Sequence, residues 1–314
     1  MAKPEYEIMK NWDMTQTIPK VSICSITFNH ENYIAQTIES LLEQVTNFPF
    51  EIVIRDDAST DKTASIIMQY VQNYPKIIKP IYEEHNGFSN GIKPLAVVIN
   101  AAQGKYIAIC EGDDYWTDNV KLQTQVDFLD QNPDFVITYH DCQPFDENGE
   151  IEADLGGAKR DLEAIELQKS TPIYTLTTCF RNVFKTYPKE DFCSPFGDLF
   201  LWSILGNYGK GKYLPYIKPA MYRMHSGGIF SKKTKKEKYE MALLTDASLF
   251  AYYSRIKNEE LKIFYKEKML SSWILSEKYS RFVNFAYNYQ KKRWHKKIIS
   301  KIKKYKQKIR SIVK

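Results

Sequence analysis

The sequence lacks a long apolar run. Nowhere in its 314 residues does it contain the roughly 18 to 20 consecutive apolar residues that a membrane-spanning helix needs. Residues 1–20 include Glu5, Glu7 and Asp13 and have no apolar segment, which is unlike a secretory signal or a transit peptide. We therefore expect a cytoplasmic protein.

Cysteine is scarce, and its spacing forms no pattern. The five cysteines include no C-x-x-C pair, and Cys24 and Cys110 lie inside apolar, strand-like runs. These positions argue against a disulfide framework or a structural zinc site. We expect reduced thiols buried in a core.

Two glycine-rich nucleotide-binding loops are also missing. No G-x-G-x-x-G follows the first predicted strand, and no G-x-x-x-x-G-K-[ST] occurs anywhere in the chain. The sequence therefore lacks the main evidence for a dinucleotide-binding enzyme or for a P-loop enzyme.

Positive charge is concentrated at one end. Residues 291–314 hold 12 of the 44 Lys and Arg residues and no Asp or Glu, whereas the remaining 32 basic residues face 38 acidic ones. An acidic body of this kind does not indicate a nucleic-acid-binding face. Within the tail, apolar residues recur at helical spacing: Ile298, Ile302, Tyr305, Ile309 and Ile312. A basic amphipathic helix is predicted, which either lies on an anionic membrane surface or packs on protein.

The first third of the chain alternates between strand and helix patterns. Apolar runs predict strands at 21–28, 51–55, 77–82 and 105–110, and 3.6-residue periodicity predicts helices between them, the last ending at Gly104. This order predicts an α/β fold with a mostly parallel sheet and helices on both faces. In such sheets, ligands bind beyond the carboxyl ends of the strands.

Acidic and polar clusters follow three of these strands. The first strand leads into residues 27–30, the second into Asp56 and Asp57, and the fourth into residues 111–114, which hold three carboxylates. Three carboxylates so close together repel one another unless a cation lies among them, and hard oxygen ligands suit Mg²⁺ or Mn²⁺. The alternative for residues 111–114 is a solvated acidic turn, and for residues 56–61 a turn that caps the next helix.

Three segments resemble the successive motifs of the inverting family 2 glycosyltransferases of the GT-A fold. They are VSICSITFNHENYI at 21–34, EIVIRDDASTD at 51–61 and GKYIAICEGDDYW at 104–116, and the likeness extends to about residue 230. Each segment is a weak indication alone, but the three in this order and spacing are specific. The resemblance implies transfer of a sugar from a nucleotide-sugar donor to an acceptor hydroxyl with the help of Mn²⁺ or Mg²⁺.

The resemblance also implies residue roles at the donor site. Asp113 matches the metal-binding second Asp of the family's D-x-D motif, although Glu111 stands where the first Asp is usual, and Lys93 replaces a commoner Arg. Lys93 would therefore meet a diphosphate as a point charge. The donor-site residues implied are Thr27, Asn29, Asp56, Asp57, Asn86, Lys93, Glu111, Asp113 and Asp114.

Two later segments complete the implied site. Asp198 in GDLFLW resembles the family's general base, which takes the proton of the attacking hydroxyl, although an Asp before an apolar helix could equally be an N-cap. His225 in YRMHSGG resembles a histidine that reaches the metal or the diphosphate. A lone His is otherwise most often a packed or surface residue.

The resemblance divides the chain into regions. We expect an extension at 1–20, a catalytic domain at 21–231 with donor and acceptor halves at 21–116 and 117–231, and a helical region at 232–314 that includes the tail at 291–314. Its helices could also mediate a homo-oligomer. A uridine diphosphate sugar is the expected donor, and a glycan or lipid-linked glycan the expected acceptor, which would place the enzyme at the inner face of a membrane.

Two alternatives use the same fold. A nucleotidyltransferase would need a Gly-rich basic loop after the first strand, where this chain has Thr-Phe-Asn-His-Glu-Asn at 27–32. A non-catalytic scaffold would have no use for the acidic residues and His225 together.

Overall fold

The protein is described by a computed structural model, in which residues 2–13, 15, 18–89, 91–225, 227 and 233–275 are described. The chain divides into two units. The first comprises Met1–Phe192 and Gly197–Ser231, and the second comprises Cys193–Phe196 and Lys232–Lys314.

Strands and helices alternate in the first unit. Its strands are β1 (Val21–Thr27), β2 (Phe50–Asp56), β3 (Ile78–Tyr82), β4 (Tyr106–Ile109), β5 (Phe135–Tyr139), β6 (Cys142–Asp146), β7 (Gly149–Glu150), β8 (Cys179–Arg181), β9 (Lys210–Tyr213) and β10 (Ala220–Arg223). Its helices are α1 (Glu5–Ile8), α2 (Ile34–Leu42), α3 (Thr63–Asn73), α4 (Pro94–Ala101), α5 (Lys121–Gln131), α6 (Ala164–Gln168) and α7 (Gly197–Leu205), with 3₁₀ turns at Met9–Asn11, Thr175–Thr177 and Lys189–Cys193.

Seven of these strands form one sheet in the order β3-β2-β1-β4-β8-β5-β9. Neighbours are parallel except where β8 pairs antiparallel with β4 and β5. The helices α2 to α4 connect the four parallel strands that come first in the chain. The predicted α/β fold with a mostly parallel sheet is confirmed.

The central strands are almost wholly buried, including the charged side chains of Glu51, Arg55 and Asp56 in β2. Every residue of β2 and β4 is buried, and so are six of the seven residues of β1. This is the burial expected of parallel strands that lie between helices. Helix α2 packs Ile34, Ile38 and Leu41 into the same core, each fully buried.

Gly104 has a different role from the helix cap that the sequence suggested. Helix α4 ends at Ala101, and Gly104 instead lies against β1, where a Cβ would come within 2.5 Å of the backbone N of Ser22. Any side chain would push β1 and β4 apart. Gly104 is therefore required for close backbone approach.

A second sheet of three strands has the order β10-β6-β7. Strand β10 pairs parallel with β6, and its Met221 forms an antiparallel bridge to Tyr115, just after the acidic turn that follows β4. The end of β10 is thereby held next to that turn.

The second unit contains two consecutive helices that pack against each other, α8 (Lys235–Arg255) and α9 (Glu259–Leu275). A capping box between Thr234 and Glu237 starts α8. The rings of Tyr253 and Tyr265 stack at 5.6 Å between the helices. The predicted helical pattern at 232–314 is thus seen in the described part, while the tail at 291–314 lies outside the described residues.

Two expectations from composition bear on the described residues. Within them, no helix has both the length and the apolarity to span a bilayer. Cys24, Cys110 and Cys179 are buried free thiols and Cys142 is a half-buried one, as expected of reduced core cysteines.

Candidate active site

The carboxyl ends of β1, β2 and β4 bring the polar clusters of the sequence to one edge of the sheet. Thr27 ends β1 in register with Asp56, which ends β2. The backbone N–H of Asp57 donates to the carbonyl of Thr27 at 3.0 Å, and that of Gly112 donates to Ile26 at 2.9 Å. The three clusters therefore meet where the topology predicts a ligand site.

Asp113 and His225 are in direct contact at this edge. His225 Nε2 lies 2.9 Å from Asp113 Oδ2. Burial acts to raise the pKa of Asp113, but the hydrogen bond from His225 and the charge of His30 outweigh it and hold the pKa below its usual value. The two residues that the sequence suggested as metal ligands are thus brought together.

A third residue, His30, joins them. Its Nε2 lies 3.7 Å from the same Asp113 oxygen, and one ligand atom from each of His30, Asp113 and His225 falls within 4.8 Å of the others. Burial lowers the pKa of His30, which favours the neutral imidazole that metals bind. Two imidazoles and a carboxylate are a donor set that fits a divalent cation.

Sequence reasoning gave His30 no role. The only indication was its position three residues after Thr27, in the polar segment that follows a buried strand. Such a position predicts nearness to the ligand crevice but names no partner.

Arg223 holds the acidic turn against the end of β10. Its backbone N–H donates to Asp114 Oδ1 at 2.7 Å and its Nε donates to the carbonyl of Asp113 at 2.8 Å. The guanidinium lies between the rings of Tyr33 and Phe145, 4.6 and 4.5 Å from their centroids. Since His225 is two residues further along, Arg223 fixes the histidine relative to Asp113.

The other two acids of the turn are Asp114, which is buried, and Glu111, which is half-buried, and the pKa values of both are raised. Burial raises the pKa of Glu111 to about 7 despite a hydrogen bond from Thr175, and the charges of Asp113 and Asp198 add to the increase. Glu111 Oε2 is buried and has no hydrogen-bond partner among the described residues. Burial, with the charges of Asp113 and Glu111, raises the pKa of Asp114 well above its usual value. A cation next to this turn would stabilise all three carboxylates.

Asp198 is the second residue of α7, within its first turn. Burial raises the pKa of its carboxyl, although backbone N–H groups of the helix start, including that of Leu199, act to lower it. Its charge contributes to the raised pKa values of Glu111 and of the buried Tyr187. The candidate base is therefore near Glu111 of the acidic turn, and its helix is anchored by the fully buried Phe200, Leu201 and Trp202.

Several of the donor-site candidates accept hydrogen bonds from backbone groups of neighbouring loops. Asp57 accepts hydrogen bonds from the backbone N–H of Gly87 at 2.7 Å and of Phe88 at 3.0 Å, and from Arg55 at 2.6 Å. Its carboxylate thus fixes the loop after β3, which carries Asn86. A direct contact from Asp57 to a nucleotide would compete with these bonds.

Asn29 and Asp56 also bind within the protein. Asn29 has a left-handed backbone (φ 55°) and accepts from the backbone N–H of Thr60 at 2.8 Å. Asp56 accepts from the backbone N–H of Ser59 at 3.2 Å, and its charge contributes to a raised pKa of Tyr82. Tyr82 is 42% exposed, so an aromatic ring near Asp56 is accessible to solvent.

The remaining candidates lie in the loop before α4. Asn86 Oδ1 accepts from the backbone N–H of Ser89 at 2.7 Å, and Lys93 is the residue that precedes α4. Neither observation decides a role at the donor site, so the roles of Asn86 and Lys93 stay predictions.

The sheet order, the helices on its faces and the acidic turn after β4 define a glycosyltransferase of the GT-A fold. The sequence profile of glycosyl transferase family 2 matches residues 22–201. The chain belongs to this family, as the resemblance predicted.

Relatives of known sequence extend over most of the chain. The Mycobacterium tuberculosis protein Rv1520 is 32% identical over 269 residues, which cover 82% of this chain and 74% of that protein. The Escherichia coli protein WfaP, named as a UDP-Glc:alpha-D-GlcNAc-diphosphoundecaprenol beta-1,3-glucosyltransferase, is 28% identical over 228 residues, covering 69% of this chain and 82% of that protein.

Two solved structures share the fold. S. aureus TarS 1-349, in complex with UDP-GlcNAc, superposes with a TM-score of 0.59 at 21% identity and covers 82% of this chain and 74% of its own. The mannosyltransferase PcManGT from Pyrobaculum calidifontis, in complex with GDP-Man and Mn²⁺, superposes with a TM-score of 0.53 at 15% identity. The match covers 86% of this chain and 80% of PcManGT.

Proposed function

We propose that the protein transfers a sugar from a nucleoside diphosphate sugar to an acceptor hydroxyl, with inversion at the anomeric carbon and with the help of Mn²⁺ or Mg²⁺. The single observation that carries this proposal is the contact of His225 with Asp113 beside Glu111, whose pKa the charge of Asp198 helps to raise. The proposed cation ligands would therefore have a candidate base near them.

Asp113 and His225 would hold the cation, and its positive charge would stabilise the ionised carboxylates of Glu111 and Asp114. When bound, a divalent cation neutralises the charge that develops on the diphosphate leaving group. The unpartnered oxygen of Glu111 and the raised pKa of Asp114 support a cation at this place.

Asp198 would act as the general base. An acceptor hydroxyl must lose its proton as its oxygen attacks the anomeric carbon, and a nearby carboxylate can take that proton. The raised pKa of Asp198 makes it a stronger base than an exposed aspartate. Its position in the first turn of a helix whose following residues, Phe200 to Leu205, are buried would limit its movement during the reaction.

The nucleoside would lie against the ends of β1 and β2. Asp56, whose charge acts on the exposed Tyr82, would contact the base, and Thr27 and Asn29 would line the same edge; the register of Thr27 with Asp56 supports this. Asp57 would act mainly by holding the loop that carries Asn86, and Lys93 would add a positive charge near the diphosphate. We propose a uridine diphosphate sugar as donor, in line with the ligand of TarS and the name of WfaP.

The acceptor would be a glycan or a lipid-linked glycan. The name of WfaP specifies a diphosphoundecaprenol-linked acceptor. For this chain, the basic tail at 291–314 would bring the catalytic domain to the cytoplasmic face of an anionic membrane, where such acceptors are found.

Binding of the donor product tests the proposal. Thermal shift of the wild-type protein with UDP, GDP and dTDP, each with and without Mn²⁺, should give stabilisation by one nucleotide that is larger with Mn²⁺. The absence of stabilisation by every nucleotide diphosphate would contradict a donor site at this edge.

A further inference from the structure

His30 lies in the metal-type cluster although the family motif gives it no such role. Its Nε2 faces Asp113 Oδ2 at 3.7 Å, and its ring packs edge to face against that of His225 with centroids 5.9 Å apart. Both imidazoles thus approach one carboxylate, from two different segments of the chain. Ligand atoms bound at roughly 2.1 Å to one ion lie about 3 to 4 Å apart, which is close to the separations seen here.

The second ring nitrogen of His30, Nδ1, has a partner of its own. Thr27 Oγ1 lies 3.1 Å from His30 Nδ1, so that Nε2 is the nitrogen left to face Asp113. Metal-binding histidines are commonly oriented by such a partner on the second ring nitrogen.

Gly112 makes room for this arrangement. A Cβ at Gly112 would lie 2.7 Å from Thr27 Oγ1 and 3.2 Å from His30 Nδ1. A side chain between the two strand ends would therefore displace both Thr27 and His30. The glycine of the acidic turn is what allows the imidazole to approach Asp113.

We propose that His30 is a protein ligand of the bound cation together with Asp113 and His225, and that this set binds a divalent transition-metal ion in preference to Mg²⁺. The inference rests on the proposed function for the presence of a cation. It goes further by adding a ligand and by choosing between the two ions proposed there.

The preference follows from the donor atoms. Mg²⁺ favours oxygen ligands in a strict octahedron and gives up its waters reluctantly. Imidazole nitrogen binds first-row transition ions more strongly, and two histidines with one carboxylate form a set that is typical of them. Two nitrogens among three protein ligands therefore disfavour Mg²⁺.

The test measures metal binding without turnover. Mn²⁺ alone is titrated into metal-free protein, and free Mn²⁺ is followed by electron paramagnetic resonance for the wild type, His30→Gln, His225→Gln and a matched control, His85→Gln. His85 is an exposed histidine outside the cluster. Mg²⁺ is then added to each complex as a competitor.

We expect His30→Gln to weaken Mn²⁺ binding at least about tenfold, as His225→Gln does, since even second-sphere changes at metal sites cost 10- to 100-fold. His85→Gln should bind like the wild type. Mg²⁺ should displace Mn²⁺ from His30→Gln at a concentration about tenfold lower than from the wild type, because the lost ligand favours Mn²⁺.

A second measurement needs no substitution and so does not depend on the folding of a variant. Nitrogen couplings to Mn²⁺, measured by pulsed resonance on wild-type protein with ¹⁵N-labelled histidine, should come from two imidazoles. One coupled imidazole, or unchanged Mn²⁺ affinity in folded His30→Gln, would overturn His30 as a ligand and leave the proposed function intact. If the wild type bound no Mn²⁺, this inference and the cation of the proposed function would both fail, whereas sugar transfer, assayed separately, decides the proposed transferase activity.

Discussion

The imidazole of His225 and the carboxylate of Asp113 lie 2.9 Å apart although 112 positions separate them in the sequence. Asp113 follows β4 of the large sheet, and His225 follows β10 of the small one. The bridge between Tyr115 and Met221 and the bonds of Arg223 to the acidic turn fix this contact. Two sheets thus supply one candidate metal site.

Asp113→Asn should abolish turnover and leave the fold intact. Asparagine has the same shape, so packing is preserved, but it offers no negative charge to a cation. The measurement is release of nucleoside diphosphate from the donor, with circular dichroism as the control for folding. Turnover near the wild-type rate would remove Asp113 from the site.

Asp198→Asn should lower kcat by about 10² to 10⁴, the usual contribution of a positioned general base, with little change in donor affinity. The proposed donor contacts lie in other segments, so kcat and the donor Kd are expected to respond differently to this substitution. If donor affinity fell while kcat stayed the same, Asp198 would be a binding residue.

The pH dependence gives an independent check on Asp198. Burial raises its pKa above the usual value of 3.8, and only the carboxylate accepts a proton, so kcat should fall as pH drops through that raised pKa. Between the usual and the raised pKa, the folded state binds more protons than the unfolded state, so stability falls as pH rises there. Asp198→Asn should therefore remove this acid limb and melt at a higher temperature than the wild type at pH 8. A lower melting temperature for the variant would contradict burial as the cause.

Arg223→Lys should raise the Mn²⁺ requirement of the reaction and have only a small effect on the melting temperature. Arg223 donates to the Asp113 carbonyl and to Gln36 Oε1 while its guanidinium contacts the rings of Tyr33 and Phe145, and a lysine ammonium lacks the planar fork that makes these contacts together. We expect the Mn²⁺ concentration for half-maximal rate to rise about tenfold.

The matched control is Arg181→Lys. Arg181 also donates to several backbone carbonyls, those of Leu129, Asn132 and Phe135, but these lie in α5, directly after it and in β5, and not in the acidic turn. Arg181→Lys should lower the melting temperature with an unchanged Mn²⁺ requirement. Equal Mn²⁺ requirements in the two variants would show that Arg223 has only a structural role.

Deletion of residues 291–314 should abolish binding to anionic liposomes. Each basic residue near such a surface contributes roughly 1 kcal/mol, in addition to the buried apolar stripe. Sedimentation with liposomes at moderate salt measures the effect, with neutral liposomes as control. If the full chain did not sediment, or the shortened one sedimented equally, the tail would pack on protein instead.

The sheet could be predicted from the sequence because its first strands are short, mostly apolar runs that alternate with helix patterns. The predicted strand at 21–28 is seen as Val21–Thr27, and that at 51–55 as Phe50–Asp56. Strand ends then placed the acidic turn and Thr27 at one edge, since parallel strands share their carboxyl edge.

The partners within the site could not be predicted in the same way. His30 meets Asp113 only because Gly112 lets the end of β1 approach the turn, and no local pattern encodes that distance. The bonds of Asp57 to Gly87 and Phe88 likewise depend on how a distant loop folds back. Residue types indicated the chemistry of the site, while tertiary contacts decide which side chains are free to perform it.

The most direct test of the account is nucleoside diphosphate release from a panel of UDP-, GDP- and dTDP-sugars by the wild-type protein. Each donor is assayed with Mn²⁺, with Mg²⁺ and with excess chelator, and Asp198→Asn serves as the catalytic control. The account predicts that one donor is consumed by the wild type with metal, and that chelation or Asp198→Asn reduces its consumption at least about 100-fold. Full activity in excess chelator, or equal rates for the wild type and Asp198→Asn, would contradict it.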